Sequence, residues 1–296
     1  MSVPDRLTFI GGGHLAQAVI SGIYSSNVSW KDACPISVTG RRTEHAEQLR
    51  KSYPKAFVTT HNLHSNIWAA DNLAAHVVFI CTRPKEVPQV CQEIASTLET
   101  LQGSARPTVV TMCPGISVAQ LQSWLPKGTP IVRSMPNLPV TCREGATALF
   151  ASDDAVSRVE LVASVLREVS PAVSVLPEES LLDVAASISG SAPAYFYYLI
   201  ESLVAAAETH GMSTETARIL VTQSCLGSGM LSRDTDRPIQ VLRKEVCVPG
   251  GSTEKAVAHL MDSRMKRIVQ GAVDRSLEAN REMRYVEKKK GVLVVE

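Results

Sequence analysis

The sequence predicts an α/β N-terminal domain with a mostly parallel sheet, residues 1–176, followed by an all-α C-terminal domain, residues 177–296. Three observations predict it. Through the first half, short apolar runs alternate with stretches of helical periodicity, the pattern of βαβ units. After Pro177-Glu-Glu-Ser180 the strand signals nearly vanish. The long helical patterns that follow are unusually apolar and carry small residues such as Ala205, Ala206, Ala207, Gly227, Ser228 and Gly229.

Leu7–Ile10 reads as a strand, and Leu15, Ala18, Val19, Gly22 and Ile23 give His14–Ser25 the period of a helix. Ile36–Thr39 is the next strand and Glu44–Ser52 the next helix. His76–Cys81, the helix Pro84–Leu98 and the strand Thr108–Met112 continue the alternation. Ile131–Met135, Ala146–Phe150, the helix Ala155–Arg167 and the run Ala172–Leu176 complete the layer. In the second part, Tyr195, Tyr198, Leu199, Ser202, Leu203 and Ala206 share one face of a helix over Ala194–Thr209, with Gly211 as its stop. Ser213 or Thr214 caps the next helix, to about Leu231. From Thr253 a helical pattern runs to about Met283, and the terminal EKKKGVLVVE reads as a solvated end. Helices this apolar bury a second face against another subunit, so a homodimer through this region is expected, with a larger homo-oligomer as an alternative.

The 30 basic and 29 acidic residues leave a net charge of +1, which gives no electrostatic reason to expect nucleic acid or a membrane surface as partner. The seven cysteines contain no CxxC pair and have no histidine clustered beside them, so neither a disulfide framework nor a metal site is indicated. Cys81 and Cys91 read as buried small hydrophobes. A strand beginning at Leu7 leaves no room for a leader, and no apolar run reaches membrane-spanning length. A cytoplasmic location is the expectation.

Gly11-x-Gly13-x-x-Ala16 stands between a strand and a helix, the context of a dinucleotide-binding loop in a Rossmann-type domain. Gly11 permits the tight turn and Gly13 a close approach of the pyrophosphate. Ala16 allows helix–strand packing, and the helix start, with His14 and Leu15, faces the phosphates. A ligand-free βα turn is the plainer reading of the same residues. The second strand carries no acid at its end for a ribose 2′-hydroxyl, and Arg41 and Arg42 follow it directly. Two guanidinium forks suit a 2′-phosphate, so NADPH is favoured, with NADH the alternative. A solvated helix start would also explain the pair.

Other catalytic constellations are absent: no HExxH, GxSxG or P-loop pattern occurs. A hydroxyacid dehydrogenase would need an acid–base group, and "GSAPAYFYYLIESL" offers neither lysine nor asparagine at the second domain's first long helix. A substrate already electrophilic, such as a protonated imine, fits better.

At "FIGGGHLAQAVISG", "FICTRPKEV", "GISVAQLQSWL", "VRSMPNLPVTCREGATAL", "LLDVAASISGSAPAYFYYLIESL" and "LRKEVCVPGGSTEKAVAHL" the sequence resembles the pyrroline-5-carboxylate reductases, over about residues 6–284. The resemblance implies NADPH- or NADH-dependent reduction of 1-pyrroline-5-carboxylate to L-proline, and a helical domain that interleaves with a partner subunit. It also implies that Asn62, Thr82, Arg83, Pro84 and Cys113 line the cofactor, with Met135, Pro136 and Asn137 near the nicotinamide. "CVPGGST" then acquires a role. Gly250, Gly251 and Ser252 are expected to offer successive backbone N–H groups to the substrate's carboxylate, with the Thr253 hydroxyl, the one catalytic candidate, on the ring nitrogen. Without a ligand, the same residues are a turn that opens a helix. Ser189, in "SISGSAPAY", is expected near the substrate, or else belongs only to a helix start.

Several positions depart from the family's usual residues: Val248 replaces a frequent serine, Leu138 a threonine, Ala192 a glycine, and Cys113–Pro114 a small pair. With Val248 beside the carboxylate loop, a methylated or six-membered cyclic imino acid is an alternative substrate. A non-catalytic NADP(H)-binding protein is the alternative of another class.

Overall fold

The computed structural model describes residues 4–69, 77–101 and 106–291, with residues 283–291 by their backbone only. Contacts divide the chain into two compact units, residues 1–190 with 277–296, and residues 191–276.

The first unit is built on an eight-stranded sheet. Its strands are β1 (Leu7–Ile10), β2 (Ile36–Thr39), β3 (Phe57–Thr59), β4 (Val77–Ile80), β5 (Thr108–Thr111), β6 (Ile131–Pro136), β7 (Ala146–Ala151) and β8 (Ala172–Val175). They lie in the order β3-β2-β1-β4-β5-β6-β7-β8. Neighbours pair in parallel except at β6 and β7, which are antiparallel. Parallel strands need both faces covered, and the side chains alternate to allow it. Phe9 and Phe79 stack at 4.9 Å on one face, in a core shared with Val19, Ile20, Ile23, Leu49 and Val162. Ile10, Val78, Ile80, Val109 and Ile131 point to the other face and pack with Ile67, Val90, Cys91, Ile94 and Leu98. The helices supplying these layers are α1 (His14–Ser25), α2 (Thr43–Ser52) and α6 (Val159–Leu166) on the first face. On the second they are α3 (Ser65–Ala69), α4 (Val87–Thr100) and α5 (Val118–Trp124).

The expected strands are present within about two residues, and the expected helices are present, although α4 and α6 begin three and four residues later than expected. Of the strand expected over His76–Cys81, Val77–Ile80 is a strand, and His76 lies outside the described residues. Pro84–Glu86 and Asp153–Arg158 are 3-10 turns leading into α4 and α6 rather than parts of those helices. Strand signals stop at β8, as expected, yet the contact boundary falls later, between Gly190 and Ser191. Helix α7 (Leu181–Ala185) and the π-helical turn Ala186–Gly190 explain the difference: Leu182, Ala186 and Ser187 are buried in the first unit. Glu179 adds a tie, pairing with the buried Arg133 of β6 at 2.5 Å and accepting from the Val118 N–H at 2.8 Å. Asn280 returns to the same unit and donates to Ser187 Oγ at 3.2 Å.

The second unit is helical: α8 (Ala192–Thr209), α9 (Thr214–Arg233), α10 (Ile239–Val246), α11 (Ser252–Asp262) and the first part of α12 (Met265–Gly291). Pro193 lies in the first turn of α8, Gly211 takes a left-handed φ of 85° after it, and Ser213 Oγ accepts from the Thr216 N–H to cap α9. The single helix expected over Thr253–Met283 is interrupted. Arg264 adopts φ 57°, which an α-helix cannot contain, and ends α11. Helix α12 then continues through the basic run to Gly291, while residues 292–296 lie outside the described residues. Both hydrophobic core clusters belong to the first unit. In α8–α11 Phe196, Tyr198, Leu203, Ile219, Leu231 and Met261 are exposed.

Candidate functional site

Strand order reverses between β1 and β4, and ligands of open α/β sheets bind beyond the strand ends at such a point. A cleft of about 480 Å³ lies there. Its floor is the Gly11–Gly13 loop. Gly11 has φ 96° and an added Cβ would stand 3.1 Å from the Cys81 carbonyl, so only glycine fits. The loop is pinned by N–H groups: Gly11 donates to Thr39 Oγ1 at 3.1 Å and Gly12 to the Thr39 carbonyl at 2.8 Å. Gly13 is the N-cap of α1, with no side-chain cap and no acid in the first turn. The first amides and the positive end of the helix therefore have no protein anion on them. An added Cβ at Gly13 would approach only the Cys81 carbonyl, at 3.8 Å, so room is left beside it.

Of the sequence-predicted residues, Gly11, Gly13, Arg41, Arg42, Asn62, Thr82 and Arg83 line this cleft together. Asn62 is buried; its side-chain Nδ2 donates to Glu93 at 3.1 Å, and its backbone carbonyl accepts from Trp68 Nε1 at 2.8 Å, which holds the main chain there. Thr82 lines the cleft while its Oγ1 is buried without a hydrogen-bond partner. Ala16 is fully buried in the core and acts by close packing, and Leu15 packs beside it. His14 is exposed and Pro84 opens the 3-10 turn; neither lines the cleft.

Sequence reasoning missed Gly12, Gly40, His45 and Glu86, which also line it. Gly12 is also constrained, because a Cβ there would meet Leu49 Cδ1 at 2.5 Å and force that side chain to shift; the run of three glycines was the available signal. Glu86 accepts from Arg41 at 2.5 Å and from the Arg83 N–H at 3.3 Å. Burial pushes its carboxyl up, but those hydrogen bonds and the charges of both arginines outweigh it and hold the group below the ordinary glutamate value. Cys81 lines the cleft with its thiol pushed well up by burial and by Cys113, which disfavours the thiolate.

Cys113, Met135 and Asn137 lie elsewhere in the first unit. Cys113 Sγ donates to the Thr82 carbonyl at 3.0 Å, behind the cleft wall. Cys113 and Met135 border a void of about 20 Å³ with Ser134, Leu182 and Asp183, room for about one water. Asn137 accepts from the Ala146 N–H at 2.9 Å and donates to the Ser189 carbonyl at 3.4 Å. A Cβ on Gly190 would meet Met135 Cε at 2.7 Å, so Met135, Asn137 and Ser189–Gly190 form one packed group.

In the second unit, Cys247–Gly251 turn into α11. Gly250 has φ 75°, and a Cβ on Gly251 would stand 2.9 Å from the Val248 carbonyl, so both positions require glycine. The successive free amides expected here are already partly engaged. The Gly250 N–H donates to the Glu254 carboxylate at 2.7 Å and the Gly251 N–H to the Val248 carbonyl at 2.9 Å. Turn closure and an acid in the first helical turn account for both. The Ser252 and Thr253 amides begin the helix, with Thr253 half-buried and Val248 exposed. Among the described residues, no group of His, Cys, Asp or Glu could hold a metal ion, and no helix is long and apolar enough to cross a membrane.

Comparison with known proteins adds family to geometry. A sequence profile described as pyrroline-5-carboxylate reductase dimerisation matches residues 179–283, and one described as NADP oxidoreductase, coenzyme F420-dependent, matches residues 6–103. The chain is 44% identical over 283 residues to a Delta-1-pyrroline-5-carboxylate reductase of Gibberella fujikuroi, covering 93% of this chain and 95% of that one. It is 33% identical over 278 residues to the pyrroline-5-carboxylate reductase of Corynebacterium melassecola, covering 92% and 97%. Among solved structures, a pyrroline-5-carboxylate reductase of Coxiella burnetii superposes with a TM-score of 0.85 at 28% identity, over 95% of this chain and 99% of that one. The Plasmodium falciparum pyrroline carboxylate reductase with NADP bound shares the fold, with a TM-score of 0.75 at 23% identity over 95% and 99%. With its dinucleotide-type cleft, its helical second unit and relatives this similar over nearly its whole length, the chain belongs to the pyrroline-5-carboxylate reductase family.

Proposed function

We propose that this protein binds NADP(H) in the cleft at the β1/β4 strand ends and reduces 1-pyrroline-5-carboxylate to L-proline. The observation that carries the reading is the cleft itself, where a glycine loop, an anion-free helix start and two arginines converge. The names of the relatives support the substrate. Gly11–Gly13 and the first turn of α1 would hold the pyrophosphate, and Arg41 and Arg42 the adenosine end. When bound, the reduced nicotinamide supplies the hydride that turns the C=N carbon into a saturated one.

The remaining work is binding and orientation. The start of α11 would hold the substrate's carboxylate on its first amides, and the Thr253 hydroxyl would hydrogen-bond the ring nitrogen. The iminium proton comes from solvent, so no buried acid is required. A second reading, in which a methylated or six-membered cyclic imino acid is preferred, rests on Val248 at the head of this turn, where a serine is frequent in the family and the valine removes a hydroxyl and adds apolar bulk. The exposed apolar residues of α8–α11 support a homodimer through the helical unit.

NADPH and NADH oxidation is followed with five- and six-membered cyclic imines, each with and without the carboxylate. Fastest turnover with the five-membered carboxylate supports the main reading, and a six-membered preference the second. Nucleotide binding without imine-dependent oxidation refutes both. Thr253→Ala is expected to lower turnover or substrate affinity; an unchanged enzyme removes Thr253 from the mechanism.

A further inference from the structure

Arg41 follows β2, the place where a carboxylate would serve a ribose 2′-hydroxyl and where the sequence offers none. A carboxylate nevertheless reaches it. Glu86 comes from the turn after β4, 45 residues away in sequence, and its carboxylate meets the Arg41 guanidinium at 2.5 Å. Among the described residues lining the cleft it is the sole acid. It is also fixed in place: the Arg83 N–H donates to its second oxygen, and its side chain is far less exposed than that of Arg41.

We propose that Glu86 is a specificity-determining residue that restrains the preference for a 2′-phosphorylated nucleotide and gives the non-phosphorylated one a hydrogen-bond acceptor. The assignment rests on the dinucleotide reading of the cleft. A 2′-phosphate carries about 1.5 to 2 negative charges near neutral pH. To use Arg41 it must share the guanidinium with a carboxylate or displace it. A free 2′-hydroxyl faces no such repulsion and can donate to the same carboxylate. Arg41 and Arg42 alone would select strongly for the phosphate; with Glu86 fixed between the arms of the cleft, the two nucleotides come closer in affinity.

The test is direct binding of NADPH and of NADH to the full chain by titration calorimetry, without imine, for the wild type, Glu86→Gln and Arg41→Ala. The glutamine keeps an oxygen for the Arg83 N–H while removing the charge. A repulsion of this size in a water-exposed cleft predicts that Glu86→Gln raises the ratio Kd(NADH)/Kd(NADPH) by about fivefold. Arg41→Ala should lower the ratio. A Glu86→Gln ratio equal to or below that of the wild type overturns the proposal, as does an unchanged ratio in Arg41→Ala. If the glutamine protein does not fold, Glu86→Ala carries the same expectation. Failure of the wild type to bind either nucleotide overturns the dinucleotide reading and this assignment with it; binding with an unmoved ratio overturns the assignment alone.

Discussion

Replacing Gly12 by alanine would place a methyl group 2.5 Å from Leu49 Cδ1 and 3.2 Å from Val38 Cγ2. Carbon atoms pack best about 3.5–4.0 Å apart, so Leu49 would have to retreat by about an ångström. It has nowhere to go. Leu49 is 1% exposed and lies in the core with Val38, Ala46 and Tyr53. Overpacking of this kind costs about 1–3 kcal/mol. Leu49→Ala alone opens a cavity and should cost about 2–5 kcal/mol. Because the new methyl points into the space Leu49 vacates, the double substitution should cost less than the sum of the singles, by about 1–3 kcal/mol. Chemical denaturation of the four proteins measures the coupling, and NADPH titration reads the displaced loop, for which Gly12→Ala should bind more weakly and the double variant partly recover. Additive stabilities would refute the argument, since the cost of Gly12→Ala would then not come from Leu49.

Three further outcomes follow from particular contacts. Glu179→Ala removes the carboxylate that pairs with buried Arg133 and accepts from the Val118 N–H; Glu179 itself is 27% exposed, so a loss of about 2–4 kcal/mol in denaturation is expected. Gly251→Ala forces a Cβ to within 2.9 Å of the Val248 carbonyl and should open the turn before α11, weakening imine turnover with NADPH affinity unchanged. Burial pushes the Cys34 and Cys91 thiols from 9.0 to about 12, so each ionises in the unfolded chain before it does in the folded one. Their contribution is complete below pH 9 and is lost as pH rises from about 9 to 12, so denaturation midpoints should fall through that window. Replacing both by alanine should flatten the fall.

Much of the first unit was legible because its strands are apolar on both faces and its helices apolar on one. Val77–Ile80 is buried throughout, and α1 hides Ala16, Val19, Ile20 and Ile23. Strand β3 has three residues and α3 five, too short for periodicity to register. Helix α5 did carry a signal: Ser117 accepts from the Gln120 N–H and Gln120 returns a hydrogen bond, a capping box. In α10 four of eight residues are apolar, yet none is buried within the chain. The break at Arg264 was hidden because nothing in an arginine announces a left-handed φ. Within the candidate site, the glycines and arginines were visible, while Glu86 was not, since its meaning depends on a partner 45 residues away.

By itself the sequence determined the alternation that makes the sheet, the glycine loop after β1 and the change to helix after β8. All of these are written in local pattern, where burial period and turn chemistry act over a few residues. Only the tertiary structure decided that β4 lies beside β1 and brings Glu86 to the same cleft as Arg41. It alone decided that residues 181–190 and 277–280 pack with the sheet, and that Glu254 takes an amide of the "CVPGGST" turn. Those pairings join residues that periodicity treats independently, and they exist only once the chain has closed its long loops.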